Sequence, residues 1–175
     1  MPIKTIFLDR DGVINKDKNY LYKKDDFEFI DGVFNACLYF SNLNYKIIII
    51  TNQSGISRGY YTESDFKNLN DWMIEQFSLH KINILDTFYC PHSPEDNCMC
   101  RKPKPGMLLK AQKKHAIDMS NSWLIGDKED DISAANSSGI FNTILVRSGH
   151  KIDESKSKAK YFLDSIHESI SVVSD

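Results

Sequence analysis

The sequence predicts an α/β fold built around a mainly parallel β-sheet. Short apolar runs alternate with helical patterns along the chain, which is the arrangement of consecutive βαβ units. Several runs are continuously apolar and bounded by polar residues, as expected for strands buried on both faces. The chain has 175 residues, of which 41% are hydrophobic and 26% charged, so we expect one globular domain over residues 1–175.

Five strands are expected, each formed by an apolar run that ends at a polar cluster or a turn signal. They are the run that ends at Leu8 and the segments 46–50, 84–89, 122–125 and 143–146. Because connections in parallel sheets are short and right-handed, the carboxyl ends of these strands lie along one edge. Ligands of open α/β sheets bind at that edge, so polar residues there are the candidates for a functional site.

Helices are expected where a capping or helix-opening residue precedes apolar residues spaced three and four apart. These segments begin at Asp31, Thr62, Pro105, Asp130 and Asp164, and the fourth closes at Gly139. The second has the clearest apolar face, formed by Phe66, Leu69, Met73 and Phe77. Segments 15–28 and 151–160 are interpreted as loops, the first of them an excursion over the mouth of the site.

The charge balance argues against several classes of function. A net charge of −2 offers no basic surface for nucleic acid or an anionic membrane. No apolar run is long enough to span a bilayer, and the start, Met1-Pro2-Ile3-Lys4, lacks a signal-peptide pattern. We therefore expect a cytoplasmic protein with a small-molecule partner. Because no stretch forms an exposed apolar seam, we also expect a monomer.

Asp9 and Asp11 follow the first strand and are separated by one residue, and Gly12 comes directly after Asp11. Glycine lets the backbone turn sharply and approach a ligand closely. Two carboxylates crowded at a binding edge need a cation, and oxygen ligands suit Mg²⁺, which keeps waters and bridges to substrate phosphate. The alternative is that both residues only cap a turn after the strand, as aspartate often does.

The second and fourth strands also end in polar groups, at Thr51 and Asp127. Each has a structural alternative, since Thr51 can cap a strand end and Asp127 after Gly126 is a common turn pair. Polar groups at three strand ends along one edge are harder to explain as turn chemistry than a single pair. This convergence favours a catalytic crevice.

A cysteine-rich loop over residues 90–100 contains Cys90, His92, Cys98 and Cys100. Three thiolates and one imidazole suit tetrahedral Zn²⁺ with every position filled, which is a structural site. The alternative is a set of buried free cysteines with His92 exposed. Cys37 stands apart and is interpreted as a packed core thiol. The remaining histidines have no motif around them and are interpreted as surface or interface residues: His80, His115, His150 and His167.

Four segments resemble the ordered motifs of the haloacid dehalogenase-type phosphatases: Asp9-Arg10-Asp11-Gly12, Thr51-Asn52-Gln53-Ser54-Gly55, Arg101-Lys102-Pro103 and Gly126-Asp127-Lys128. The resemblance extends over about residues 6–149. It implies a Rossmann-like three-layer sandwich, and the chain length leaves no room for a separate cap domain. Segments 27–33 and 55–59 and the cysteine-rich loop are similar to the branch of this family that removes the 7-phosphate of heptose 1,7-bisphosphate.

The resemblance also implies a role for each motif residue. Asp9 would be the nucleophile that forms an aspartyl-phosphate, and Asp11 would protonate the leaving oxygen and then activate water. Thr51 and Lys102 would hold and neutralise the transferring phosphoryl group. Mg²⁺ would be held by the Asp9 carboxylate, the Asp11 backbone carbonyl and Asp127. Asp131, four residues after Asp127, would support the metal site.

The same resemblance implies which residues contact the substrate. They are Asp17, Lys18, Asn19, Tyr20, Thr51, Asn52, Gln53, Ser54, Arg101, Lys102 and Lys128. Arg101 is a candidate clamp for the second phosphate because its guanidinium is a planar fork of donors. Its alternative role is a salt bridge that stabilises the zinc loop. Arg58 is a further candidate.

Two other functions remain open on the sequence. The five residues between His92 and Cys98 form a compact loop that is also similar to that of histidinol-phosphate phosphatases, which share the four motifs. A zinc-stabilised binding domain without catalysis is the alternative from another class, and the presence of both Asp9 and Asp11 argues against it. No motif specifies the anomer of the heptose.

Overall fold

One six-stranded sheet forms the centre of the computed structural model, which describes residues 1–174. Its strand pairings are all parallel, and the strands are β1 (Thr5–Leu8), β2 (Lys46–Asn52), β3 (Ile84–Cys90), β4 (Trp123–Gly126), β5 (Asn142–Val146) and β6 (Tyr161–Leu163). Their spatial order is β3-β2-β1-β4-β5-β6. The chain therefore builds outward from β1 in one direction and then in the other, which opens a crevice at the carboxyl ends of β1 and β4.

Four α-helices cover the sheet: α1 (Val33–Asn42), α2 (Glu63–Leu79), α3 (Gly106–His115) and α4 (Glu129–Ser137). Ile6 and Leu8 pack in one core with α1 and α2, whereas Phe7 packs in a second core with α3 and α4. Strands buried on both faces explain the uninterrupted apolar runs in the sequence. This three-layer arrangement confirms the predicted fold class. Within residues 1–174, no helix combines the length and apolar character that a membrane span needs.

The N-termini of two helices illustrate where local sequence decides and where it does not. α2 begins as predicted, with Thr62 and Asp65 exchanging side-chain and backbone hydrogen bonds in a capping box. α1 was expected to be capped by Asp31, but Gly32 precedes it with φ of +81° and no side-chain cap is present. A Cβ at Gly32 would lie 2.4–2.6 Å from atoms of the His167 side chain, so tertiary packing selects glycine there.

Several strands extend further than the apolar runs that predict them. β2 includes Thr51 and Asn52, because the parallel ladder to β3 continues through both residues. β4 likewise includes Gly126, which pairs with Leu145. Ser122, expected at the start of this strand, instead accepts a hydrogen bond from Thr5 N through its hydroxyl. The polar residues at the strand ends are therefore held by the sheet itself.

The C-terminal segment differs most from expectation. A short sixth strand, β6, lies between the predicted loop 151–160 and the helix expected from Asp164, where no element was predicted, and the expected terminal α-helix is a 3₁₀-helix over Ile166–Ser171. Ser169 and Ser171 each donate a side-chain hydrogen bond to the carbonyl three residues earlier, which competes with α-helical bonding. Three residues in β6 are too few to show a periodic pattern.

Candidate active site

The crevice at the carboxyl ends of the central strands contains one cleft of about 320 Å³. Twelve of the lining residues come from the sequence-predicted site: Asp9, Asp11, Asp17, Asn19, Tyr20, Asn52, Gln53, Ser54, Arg101, Lys102, Asp127 and Lys128. Asp131 and Arg58, considered in the sequence as a supporting and a further candidate residue, and His150 also line it. Two predicted substrate residues lie off the cleft wall. Thr51 is buried, its hydroxyl accepting a hydrogen bond from Gln53, and Lys18 pairs with Glu28.

Lys102 is buried at the floor of the cleft, with 4% of its surface exposed. Its Nζ lies 2.9 Å from Asp9 Oδ1 and 2.7 Å from Asp131 Oδ1, and it donates to the Ile50 carbonyl at 3.0 Å. Burial disfavours the ammonium, but the Asp131 and Asp9 carboxylates outweigh that effect and raise the pKa of Lys102 above its usual value. This lysine is therefore a fixed positive charge beside Asp9.

Three carboxylates cluster beside the single positive charge of Lys102. Oxygen atoms of Asp9, Asp127 and Asp131 lie within 4.8 Å of one another. Burial, followed by the charge of Asp131, raises the pKa of Asp127 to about 6 and that of Asp9 well above its usual value. Asp127 Oδ1 is buried without a hydrogen-bond partner. Excess negative charge and an unpartnered oxygen fit a divalent cation with oxygen ligands, as Mg²⁺ is.

The members of this cluster differ in how fully they are engaged. Asp131 Oδ2 accepts hydrogen bonds from the backbone N–H groups of Asp127 and Lys128, and its other oxygen pairs with Lys102. Asp131 therefore holds the start of α4 and Lys102 in place. Asp9 and Asp127 are left as the carboxylates that can turn an oxygen towards a cation.

The Asp11 side chain points away from this cluster. Its Oδ1 accepts hydrogen bonds from Arg10 Nη2 at 3.1 Å and Asn15 Nδ2 at 3.0 Å, and its Oδ2 accepts one from Gln53 Nε2 at 3.3 Å. The turn that follows Asp11 needs Gly12, whose φ is +88° and whose Cβ would lie 2.3 Å from Asp127 Oδ2. Two carboxyl groups one residue apart thus occupy different positions in the cleft.

Two residues at the site, His150 and Arg10, were misread or given no role in the sequence analysis. His150, interpreted as a surface or interface residue, lines the cleft, and its Nδ1 lies 2.7 Å from Asp127 Oδ2. The only available signal was its place in the loop after the fifth strand, which ends at the same edge. Arg10 is 1% exposed, and its Nη2 also donates to the Leu21 carbonyl at 3.0 Å, which ties the 15–28 segment to the Asp9–Asp11 turn.

The cysteine-rich loop brings its four predicted ligands together. Cys100 Sγ lies 2.8 Å from Cys90 Sγ and 3.6 Å from Cys98 Sγ, and His92 Nδ1 lies 3.3 Å from Cys100 Sγ. The Cys98–Cys100 and Cys90–Cys98 sulfur separations, 3.6 and 3.5 Å, are close to the edge of a tetrahedral zinc site, about 3.8 Å for a 2.3 Å Zn–S bond, whereas the Cys90–Cys100 separation is shorter. This convergence argues against the interpretation as separate free cysteines. Cys37 lies elsewhere, on the face of α1 that is buried in the core, as expected.

Hydrogen bonds join this loop to the cleft. Arg101 N donates to Cys98 Sγ, and this bond together with the neighbouring thiols outweighs burial and lowers the pKa of Cys98 to about 6. The Arg101 guanidinium donates to the His92 carbonyl at 3.4 Å while it lines the cleft. Arg101 therefore contacts the loop through a carbonyl rather than through the salt bridge considered as its alternative role.

The fold and the site together define a class of protein. A parallel sheet whose central strand ends in Asp9 and Asp11, next to a buried lysine and Asp127, is the arrangement of the haloacid dehalogenase-like phosphatases. A family model described as HAD-hydrolase-like matches residues 99–170. This match covers the end of the cysteine-rich loop and also Lys102 and Asp127, which belong to the later motifs of the site.

Curated relatives narrow the class to a family. The chain is 52% identical over 151 residues to the D-glycero-alpha-D-manno-heptose-1,7-bisphosphate 7-phosphatase of Campylobacter jejuni, covering 86% of this chain and 87% of that protein. It is 46% identical over 144 residues to the D-glycero-beta-D-manno-heptose-1,7-bisphosphate 7-phosphatase of Helicobacter pylori, covering 82% and 83%. The chain belongs to the family of heptose-1,7-bisphosphate 7-phosphatases.

A solved structure agrees with this family. The D,D-heptose 1,7-bisphosphate phosphatase from B. bronchiseptica, crystallised with magnesium and phosphate, matches with a TM-score of 0.84. The match covers 97% of both chains at 27% sequence identity. The relative from C. jejuni is named for the alpha anomer and that from H. pylori for the beta anomer, so the family includes both.

Proposed function

We propose that this chain hydrolyses the 7-phosphate ester of D-glycero-D-manno-heptose 1,7-bisphosphate and leaves the 1-phosphate. The observation that carries the proposal is the Asp9 carboxylate at the floor of the cleft, held by Lys102 and adjoining Asp127 and Asp131. The names of the curated relatives support a heptose bisphosphate rather than histidinol phosphate as substrate. The paired acids Asp9 and Asp11 support catalysis rather than a binding module.

Asp9 acts as the nucleophile. Its Oδ1 accepts hydrogen bonds from Lys102 Nζ and Arg10 N, which leaves Oδ2 to attack phosphorus. The new bond joins Asp9 Oδ2 to phosphorus, and the bond from phosphorus to the sugar oxygen at C7 breaks. Lys102 neutralises charge on the transferring phosphoryl group. Thr51 lies behind the cleft wall, and its hydroxyl supports the site through the hydrogen bond that it accepts from Gln53.

Asp11 acts as the general acid and then as the general base. It gives its proton to the departing C7 oxygen and takes one from the water that hydrolyses the aspartyl-phosphate. The hydrogen bonds from Arg10, Asn15 and Gln53 hold its carboxyl group in one orientation through both steps. The site thus separates nucleophile from proton donor.

The site residues would hold Mg²⁺ through the Asp9 carboxylate, the Asp11 backbone carbonyl and Asp127. A bound Mg²⁺ supplies positive charge that lets the anionic nucleophile approach an anionic phosphate. Asp131 keeps Lys102 and the start of α4 in position around these ligands. The cysteine-rich loop would hold a structural Zn²⁺ through Cys90, His92, Cys98 and Cys100.

The second phosphate binds at the rim of the cleft, where Arg58, Arg101 and Lys128 present cationic side chains. Asp17, Asn19 and Tyr20, which belong to the 15–28 segment, also line the cleft. Arg101 offers a planar pair of donors suited to a phosphate group. Asn52, Gln53 and Ser54 also line the cleft and are the proposed contacts of the sugar.

We expect kcat/KM for phosphate release from heptose 1,7-bisphosphate to exceed that for histidinol phosphate by about a hundredfold or more. That ratio corresponds to about 2.7 kcal/mol of transition-state discrimination, which a rim built for a second phosphate can provide. The measurement is steady-state phosphate release with Mg²⁺ and zinc-replete protein, with both heptose anomers tested. A preference for histidinol phosphate would contradict the proposal.

Magnesium affinity is expected to depend on pH through Asp127. Because the pKa of this carboxyl is about 6 in the folded protein, against 3.8 ordinarily, a proton competes with the cation below pH 6. Without a cation, the group's contribution to stability is present below about pH 4 and is lost as pH rises through 6. Calorimetric titration should find Mg²⁺ bound roughly tenfold more weakly at pH 5 than at pH 7. An affinity independent of pH would contradict this account.

A further inference from the structure

The loop after β5 makes three contacts with the active site in consecutive residues. Ser148 Oγ donates to the Gly12 carbonyl at 2.8 Å. At Gly149, a Cβ would lie 2.2 Å from Asp127 Oδ2, so only glycine permits this approach. The backbone N–H of His150 then donates to Asp127 Oδ2 at 3.0 Å. None of these residues belongs to the four motifs.

His150 lies between two carboxylates. Its Nδ1 is 2.7 Å from Asp127 Oδ2, and its Nε2 is 3.4 Å from Asp17 Oδ2. With the backbone and ring nitrogens of His150 both on Oδ2, Asp127 keeps its buried Oδ1 as the oxygen without a partner. The histidine therefore determines which Asp127 oxygen faces the cation site.

Asp17 anchors the turn that faces the substrate. Its Oδ1 accepts a hydrogen bond from Asn19 N, while its Oδ2 faces His150. Asn19 and Tyr20 both have left-handed backbone conformations, with φ of +53° and +57°. Such conformations cost free energy in non-glycine residues and persist only where neighbouring contacts hold them.

We propose that His150 is a positioning residue that couples the cation site to the substrate-facing turn, by fixing Asp127 through Nδ1 and Asp17 through Nε2. The proposal deepens the proposed function and rests on it for the substrate part only. Residues that orient metal ligands typically change metal affinity or activity by 10- to 100-fold when they are replaced.

The first experiment is calorimetric titration of the protein with Mg²⁺ in the absence of substrate. His150→Ala is expected to weaken Mg²⁺ binding by roughly tenfold or more. His115→Ala is the matched control, because His115 also bonds an aspartate, Asp86 at 2.7 Å, but neither lines the cleft. Equal affinities in the two variants would overturn the proposal.

His150→Asn separates the two contacts and also serves if the alanine variant fails to fold. An asparagine amide can reach Asp127 but is too short for Asp17, so we expect near-normal Mg²⁺ affinity and a KM raised by roughly tenfold, with less effect on kcat. In the double variant, adding His150→Asn to Asp17→Asn should raise KM no further than Asp17→Asn does alone. Effects that multiply in the double variant would overturn the coupling.

If the unmodified enzyme releases no phosphate, the proposed function fails and the Mg²⁺ titration alone decides the role of His150.

Discussion

Replacing Asp9 with asparagine is expected to lower kcat by about 10⁴-fold or more while the protein still folds. Asparagine cannot form the aspartyl-phosphate, so the enzyme loses its nucleophile rather than a supporting contact. The amide oxygen can still accept the hydrogen bond from Lys102 Nζ, so the floor of the cleft keeps its packing. Steady-state phosphate release and thermal unfolding of the same preparation measure the two effects.

Asp26→Asn is the matched control for this substitution. Asp26 is an exposed aspartate of the 15–28 segment and does not line the cleft, so its replacement should leave kcat and KM within about twofold. Asp11→Asn should also be nearly inactive, but for a different reason, because it removes the proton donor. If Asp9→Asn kept more than about 1% of the activity, Asp9 would not be the nucleophile.

Removing zinc is expected to disorder the cysteine-rich loop and abolish activity even with saturating Mg²⁺. The loop contains only one 3₁₀ turn, Pro94–Asp96, and that turn has no buried residue, so little else holds its shape. Lys102, whose Nζ lies 2.9 Å from Asp9, follows Cys100 by two residues. Loss of the loop therefore displaces the charge beside the nucleophile.

Metal analysis, thermal unfolding and phosphate release should be measured before and after treatment with a zinc chelator. We expect one zinc per chain, and on its removal a fall in Tm of roughly 10 °C, equivalent to about 3–5 kcal/mol for a protein of this size. Cys98→Ser should reproduce the loss of zinc. Cys37→Ala, which removes a buried thiol of α1 from the core, should lower Tm but retain the metal. A zinc-free protein with full activity and unchanged Tm would refute the structural role.

Much of the candidate site followed from the sequence because its residues are placed by local elements. The apolar runs that end at Leu8 and Ile50, and the strand before Asp127, are buried on both faces, and their parallel pairing brings the polar ends to one edge. The cysteine-rich loop could also be predicted from the sequence, since its four candidate ligands lie within eleven residues. In such short segments, the spacing of the residues along the chain largely fixes their positions relative to one another.

The tertiary structure alone decided the features that depend on contacts between distant residues. His150 meets Asp127 across 23 residues of chain, and no periodicity or spacing reports such a contact. The opposite orientations of Asp9 and Asp11 depend on Lys102 on one side and on Arg10, Asn15 and Gln53 on the other. The sequence by itself thus determined the strands, the strand-end acids and the cysteine-rich loop, because each is encoded in one continuous segment. Which oxygen of each carboxylate is held, and by which partner, was decided only when packing brought separate segments together.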